Sequence, residues 1–458
     1  MTGLSFPPGF LWGAATASYQ VEGAVSEGGR GPSIWDTFAA RPGAVLGGAS
    51  GEVACDHYHR FAEDIGLLAD LGLGAYRFSV AWPRVMPDGR TPSSSGLAFY
   101  DRLVDELLRR DVVPVVTLYH WDLPQALEDA GGWPSRDTAY RFAEYTAVVH
   151  DALGDRVNQW TTINEPFCAA FLGYGSGVHA PGVQDYDTAL VAAHHLLLGH
   201  GLATRALTEQ ARPGHEFSLA LNFAPAIPDG STPEHLEAAR KFDGIHNRFF
   251  LDPVLGKGYP ADVLSDVAHH GGRFAAAVRD GDTDTIAAAI DWLGVNYYAP
   301  ARVTPLADPL VHGNCPLPGL RGLDVLPAPP PLTAFGWEQA PAVFTDLLGW
   351  ISARSGGLPM VVAENGASFV DKVTSGRVHD AARVNYFMEH VRAVHDAIRL
   401  GADVRGYIAW SLLDNFEWAM GYSQRFGLVH VDFDTQVRTV KDSGRFLGRV
   451  AKANALTE

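Results

Sequence analysis

The sequence predicts one α/β domain, a single (β/α)8 barrel with long βα loops, spanning residues 1–458. Three observations carry this. Eight strand-like runs alternate with helical patterns along the whole chain, which is the number and order such a barrel needs. No internal repeat, low-complexity tail or charge run marks a domain boundary. Polar and charged residues stand where the runs end, the position at which barrel enzymes place their chemistry.

The runs cover residues 10–16, 75–80, 113–119, 159–164, 217–222, 292–297, 360–364 and 406–410. Two of them organise the rest. Met360-Val361-Val362-Ala363 reads as a strand buried on both faces, and it runs into Glu364 and the turn signal Asn365-Gly366. Trp160 to Ile163 runs in the same way into Asn164-Glu165-Pro166, where Pro166 cannot continue a ladder. A buried ionised carboxylate costs free energy unless it is paired, so each Glu needs a reason. Capping or a salt bridge would account for either one alone; two carboxylates ending two strands are what glycoside hydrolysis requires.

Between the runs, Tyr58, Phe61, Ile65, Leu68 and Leu71 lie on one helical face that ends near Gly72. Ser135 is placed to N-cap a helix that buries Phe142, Tyr145 and Val149. Val384, Phe387, Val391, Val394 and Ile398 form another stripe, with Gly401 at its C′ position. These stripes are core. Residues 299–335, rich in Pro and Gly, read as one long irregular connection overhanging the C-terminal mouth of the barrel.

The strand ends then present Gln20, Arg77, His120, Trp121, Asn164, Glu165, Asn222, Asn296, Tyr298, Glu364 and Trp410. Packing alone would favour small or apolar residues there. Planar amides, an Arg, a His and aromatic faces together suit a sugar, whose hydroxyls need donors and acceptors and whose ring needs an apolar platform.

Composition bounds the partners. A formal net charge of −17 argues against nucleic acid or an anionic membrane, and no run of 18 or more apolar residues is present. The N-terminus lacks a basic and then apolar leader, and three cysteines, Cys55, Cys168 and Cys315, make no disulfide framework, so the cytoplasm is the expected location. No cofactor and no metal are expected. Cys55-Asp56-His57-Tyr58-His59 looks metal-like, but ligands on a helix must be three or four residues apart to share a face and no metal site is expected there, and the adjacent pairs His194-His195 and His269-His270 cannot both face one ion from a helix. Gly173 to Gly177 lacks the strand–turn–helix context of a dinucleotide loop.

Taken in order, Phe6 to Gly23, Tyr76-Arg-Phe-Ser79, Trp82-Pro-Arg84, His120-Trp121, Asn164-Glu-Pro166, Asn296-Tyr-Tyr298, Glu364-Asn-Gly366, Trp410 to Trp418 and Arg425-Phe-Gly427 resemble the family 1 glycoside hydrolases, the β-glucosidase family, nearly end to end. The resemblance implies a retaining β-glucosidase acting on a small-molecule β-glucoside or oligosaccharide, a chemistry linked to cellulose degradation, with galactosides and fucosides as related substrates. It implies Glu364 as nucleophile and Glu165 as general acid/base, their carboxyl groups about 5–5.5 Å apart. Arg77 and Tyr298 would hold Glu364 ionised. Gln20, His120 and Glu417 would bind the 3-, 4- and 6-hydroxyls and Asn164 the 2-hydroxyl, with Trp121 and Asn296 in the same binding set. Trp410 would be the stacking platform, Trp418 a further donor, and Trp337 and Phe426 part of the binding wall, Trp337 on the aglycone side. Phe167 and Leu172 are expected to shape the entrance.

Two departures stand out. Ala363 occupies the position where the family usually has Thr, and residues 299–335 match poorly. Three alternatives are disfavoured. A 6-phospho-β-glycosidase typically carries Ser in place of Glu417, whose carboxylate would repel phosphate. A thioglucosidase tends to replace the acid/base Glu with Gln. A catalytically inactive glycan-binding barrel would be expected to have lost one of the two Glu residues. The sequence leaves the oligomeric state open, a homo-oligomer included.

Overall fold

The computed structural model describes residues 3–456 except 271, 313–316, 318 and 319, so Cys315 lies outside the described residues. Eight parallel strands close into a barrel: β1 (Leu11–Ala15), β2 (Ala75–Ser79), β3 (Val113–Tyr119), β4 (Gln159–Asn164), β5 (Glu216–Phe223), β6 (Trp292–Tyr297), β7 (Met360–Asn365) and β8 (Val404–Trp410). They pair in sequence order, and β8 closes onto β1. Every residue of β2, β6 and β7 is buried. Strands of this kind face a packed interior on one side and helices on the other, which explains their nearly continuous apolar character.

The main surrounding helices are α1 (His57–Leu71), α2 (Ser94–Arg109), α3 (Arg136–Leu153), α4 (Tyr186–Glu209), α5 (Pro233–Asp243), α6 (Pro341–Ser355), α7 (Ala381–Arg399) and α8 (Asp442–Ala453). Gly72 ends α1 at φ 86°, where an L side chain is strained, and its N–H returns to the carbonyls of Leu68 and Ala69. Gly401, with φ 104°, follows α7 as expected. Ser135 stands at the N-cap of α3, but its side chain accepts no capping bond.

The structure corrects the strand ending in Glu364. β7 continues through Asn365, whose amide donates to the Tyr297 carbonyl at 2.7 Å and to the Tyr386 hydroxyl at 3.0 Å, while Tyr407 donates to its Oδ1 at 2.5 Å. Asn365 therefore ties β6, β7, β8 and α7 together. Gly366 then passes so close to β8 that a Cβ would sit 1.8 Å from the Trp410 carbonyl oxygen. Gly366→Ala is expected to destabilise the protein by roughly 2–3 kcal/mol, because backbone on both sides must move; a thermal midpoint equal to that of the unchanged protein would refute this.

The connection after β6 is more regular than its composition suggested. Ala301–Pro305 pairs antiparallel with Leu323–Val325 and parallel with Ala226–Pro228, forming a three-stranded sheet on the rim. Arg302 fastens it with a two-pronged contact to Glu338. Pairing between segments so far apart leaves no periodic signal in a Pro-rich stretch. Beneath the barrel, Phe6, Phe10 and Trp12 pack together, and Leu4–Ser5 pairs with Ala455–Leu456, so both ends of the chain close the face opposite the site.

Candidate active site

Both glutamates stand where the ladder register breaks. The β4–β5 pairing shifts between Thr161 and Asn164, and the β7 pairings shift between Val362 and Glu364 against β6 and between Val362 and Asn365 against β8. Such irregularities re-aim side chains at barrel rims. Glu165 lies beyond the last residue of β4 with φ 47°, its N–H donated to the Ala220 carbonyl at 2.9 Å. Trp121 (φ 76°) and Trp418 (φ 49°) are also left-handed. Each such non-glycine residue costs about 1–3 kcal/mol, which the surrounding packing must offset.

The carboxyl groups have different partners. Arg77 Nη1 donates to Glu364 Oε1 at 2.6 Å, and the Tyr298 hydroxyl donates to Oε2 at 2.7 Å. Glu165 accepts from neutral groups only, Asn296 Nδ2 at 2.6 Å and the Cys168 thiol at 3.1 Å. Asn164 links the two sides: its Oδ1 accepts from Arg77 at 2.7 Å and from Asn296 at 3.0 Å, and its amide donates to His120 Nε2 at 3.2 Å. Burial pushes the Glu165 carboxyl up to about 7, with the charge of nearby Glu364 adding to it. Burial also raises Glu364, but Arg77 and the Tyr298 hydroxyl oppose it, so Glu364 is the one that ionises first. Burial, reinforced by Arg77, holds His120 well below the usual imidazole range, and it stays neutral.

Above the pair lies a cavity of about 420 Å³. Glu165, Glu364, His120, Trp121, Tyr298, Trp337, Trp410, Glu417, Trp418 and Phe426, all anticipated from the sequence, line it. Arg77, Asn164 and Asn296 stand behind the carboxylates, and Gln20 stands behind Glu417. Gln20 donates to Asn415 Oδ1 and to the Phe416 carbonyl, so it fixes the segment that carries Glu417. Gln20 Oε1, Asn296 Oδ1 and Glu417 Oε2 are buried without a protein partner. Buried polar atoms of this kind suit a polyhydroxylated ligand. Trp410 and Trp418 flank the His120 ring in near-parallel stacks, with centroids 5.8 and 5.9 Å away.

The structure also adds residues. Cys168, His179, Phe223, Ala224, His246, Phe335 and Met420 line the cavity. Cys168 and His246 sit in π-helical turns, Cys168–Gly175 and Gly244–Arg248, whose wider winding has no signature in apolar periodicity. Leu172 is among the residues that line the cavity. Phe167 packs beneath His246 instead, its ring 4.1 Å from the imidazole. Ala363 is fully buried, and its carbonyl accepts from Arg77 at 3.3 Å, so the backbone contact at this position needs no hydroxyl.

Burial and the charges of Glu364 and Glu165 push Glu417 up to about 8. A neutral Glu417 repels phosphate less than the expected carboxylate would. The lining supplies a firmer reason: among the described residues it contains no Lys or Arg to receive a phosphate. In the Cys55–His59 run, Cys55 Sγ donates to the Asp414 carbonyl, His57 pairs with Asp64, and His59 with Asp56 and Glu27. His194 and His195, both in α4, turn to separate partners, Asp282 and the Trp133 carbonyl.

Comparison with known proteins places these features. The chain is 48% identical over 454 residues to the thermostable β-glucosidase B of Thermobispora bispora, covering 99% of this chain and 92% of that protein. It is 46% identical to a bifunctional β-D-glucosidase/β-D-fucosidase of Bifidobacterium breve, covering 96% of each. The crystal structure of a psychrophilic β-glucosidase from Micrococcus antarcticus superposes with a TM-score of 0.95 at 47% identity, covering 99% of this chain and 100% of that one. The sequence profile of glycosyl hydrolase family 1 matches residues 3–456, and with a closed barrel carrying one carboxylate just after β4 and the other on β7, the chain belongs to that family.

Proposed function

We propose that residues 1–458 act as one catalytic barrel that hydrolyses terminal, non-reducing β-D-glucosyl residues with retention, and that β-D-fucosides and β-D-galactosides are also accepted. The observation that carries this reading is the unequal pairing of two buried carboxyl groups, one held by Arg77 and Tyr298, the other by neutral donors. Ionised Glu364 attacks the anomeric carbon while Glu165 protonates the departing oxygen, leaving a glycosyl-enzyme. Esterification removes the Glu364 charge. That lowers the proton affinity of Glu165, which then takes a proton from the attacking water. Because the two carboxyl groups interact, their protons leave in two macroscopic steps that belong to the pair.

Gln20, His120 and Glu417 bind the 3-, 4- and 6-hydroxyls, and Asn164 binds the 2-hydroxyl. Trp410 carries the sugar face and Trp418 donates to a hydroxyl. Trp121, Asn296 and Phe426 complete the sugar site, and Trp337 flanks the aglycone. The outer lining, with Leu172, Phe223, Phe335 and Trp337, suits an apolar aglycone face. No described helix is long and apolar enough to cross a membrane. The buried unpaired thiols of Cys55 and Cys168 support residence in a reducing compartment, the cytoplasm, with short glucosides from cellulose degradation as the natural supply.

The test is a side-by-side rate comparison on p-nitrophenyl β-glucoside, β-fucoside, β-galactoside and β-glucoside 6-phosphate. Rapid cleavage of the glucoside supports the assignment; cleavage of the 6-phosphate alone overturns it. The electrostatics also fix the sign of the pH dependence. Glu165 acts as an acid only while protonated, so kcat/KM is expected to fall as pH rises through about 7. With an activated aryl glucoside, Glu165→Gln should abolish this alkaline limb; a limb that persists would assign it to another group.

A further inference from the structure

His269 and His270 do not lie on a helix. They occupy a tight turn after the short helix Ala261–Asp266, with the His270 N–H donated to the Val267 carbonyl at 2.8 Å. The two imidazoles can therefore face the same way, and their ring centroids are 4.2 Å apart. His312 reaches them from the β6–β7 connection, and one ligand atom of each of the three lies within 4.8 Å of the others. His312 Nδ1 donates to the Leu320 carbonyl at 2.9 Å, which leaves Nε2 with its lone pair, here accepting from Arg321 Nε at 3.3 Å. A backbone carbonyl orienting the far nitrogen is the usual support of a metal-bound imidazole. His270 Nε2 is buried without a partner, as is Asp187 Oδ1. The Tyr186 ring packs against both His270 and His312.

We propose that His269, His270 and His312 bind one borderline divalent transition ion, with Zn²⁺ as its representative, and that the ion staples the β6–β7 connection to the β5–β6 connection on the rim of the barrel. Three imidazoles and no carboxylate in the donor set favour zinc, nickel or copper over calcium or magnesium. Zn–N bonds of about 2.1 Å place tetrahedral ligands roughly 3.4 Å apart, so the rings close by about an ångström and Arg321 swings away. His269 and His312 are exposed and free to make that turn. A loaded site would restrain the connection that also carries Ala299, Pro300, Phe335 and Trp337 to the cavity.

The test is calorimetric titration of chelator-treated full-length protein with zinc chloride. The expected result is one equivalent of zinc bound by the unchanged protein and lost in both His270→Ala and His312→Ala, with a thermal midpoint raised by about 3 °C at a hundredfold excess over Kd only in the unchanged protein. Hydrolysis of p-nitrophenyl β-glucoside without zinc should be unchanged in His312→Ala, which shows that the variant is folded. No zinc uptake by the unchanged protein, or uptake undiminished in both variants, overturns the proposal.

Discussion

Glu364→Ala is expected to lower kcat on p-nitrophenyl β-glucoside by at least about 10⁴-fold, because the covalent half of the reaction loses its nucleophile. Binding should survive. Trp410, His120 and Glu417 do not depend on Glu364 for their positions, and Arg77 retains Asn164 as a partner. The truncated side chain leaves room beside the anomeric carbon, so azide should restore turnover and give a glucosyl azide of inverted configuration. A retained azide product, or wild-type hydrolysis by the variant, would refute the nucleophile assignment. The measurement separates chemistry from damage, since a misfolded protein is not rescued by a small anion.

Glu165→Ala should give a loss that depends on the leaving group. For an alkyl glucoside or a glucosyl disaccharide, whose departing oxygen needs a proton, a fall of about 10²–10⁴-fold is expected. A dinitrophenyl glucoside leaves without that help and should still glycosylate Glu364 quickly. Hydrolysis of the intermediate then lacks its base, so a burst followed by a slow steady state is expected, and azide should give a product of retained configuration. Equal losses on both substrates would remove Glu165 from the acid/base role. The structure explains why this residue holds the proton: its partners are an amide and a thiol, and burial and the charge of Glu364 act on it in the same direction.

The outcomes rest on unequal amounts of information in the chain. Each barrel strand is a short apolar run whose place follows from local pattern, and the observed strands fall within a few residues of expectation. Most site residues were legible for a related reason. Polar groups at the end of an apolar strand are costly unless something uses them, so Arg77, His120, Asn164, Glu165, Asn296 and Glu364 stand out in the sequence itself.

Other features needed distant segments to meet. The rim sheet joins residues near 226, 301 and 323, and His269, His270 and His312 come from two separate connections. Cys168 and His246 depend on π-helical turns, and the register breaks that aim Glu165 and Glu364 are set by how neighbouring strands pair. The sequence by itself determined the barrel, the two carboxylates and the polar groups at the strand ends beside them, because these follow from strand pattern and from the cost of burying charge, whereas Glu417, Trp418, Trp337 and Phe426 were reached only through the family resemblance. The tertiary structure decided which carboxyl keeps its proton, which side chains form the mouth and which histidines converge, because each depends on distances and desolvation that arise only when the barrel closes.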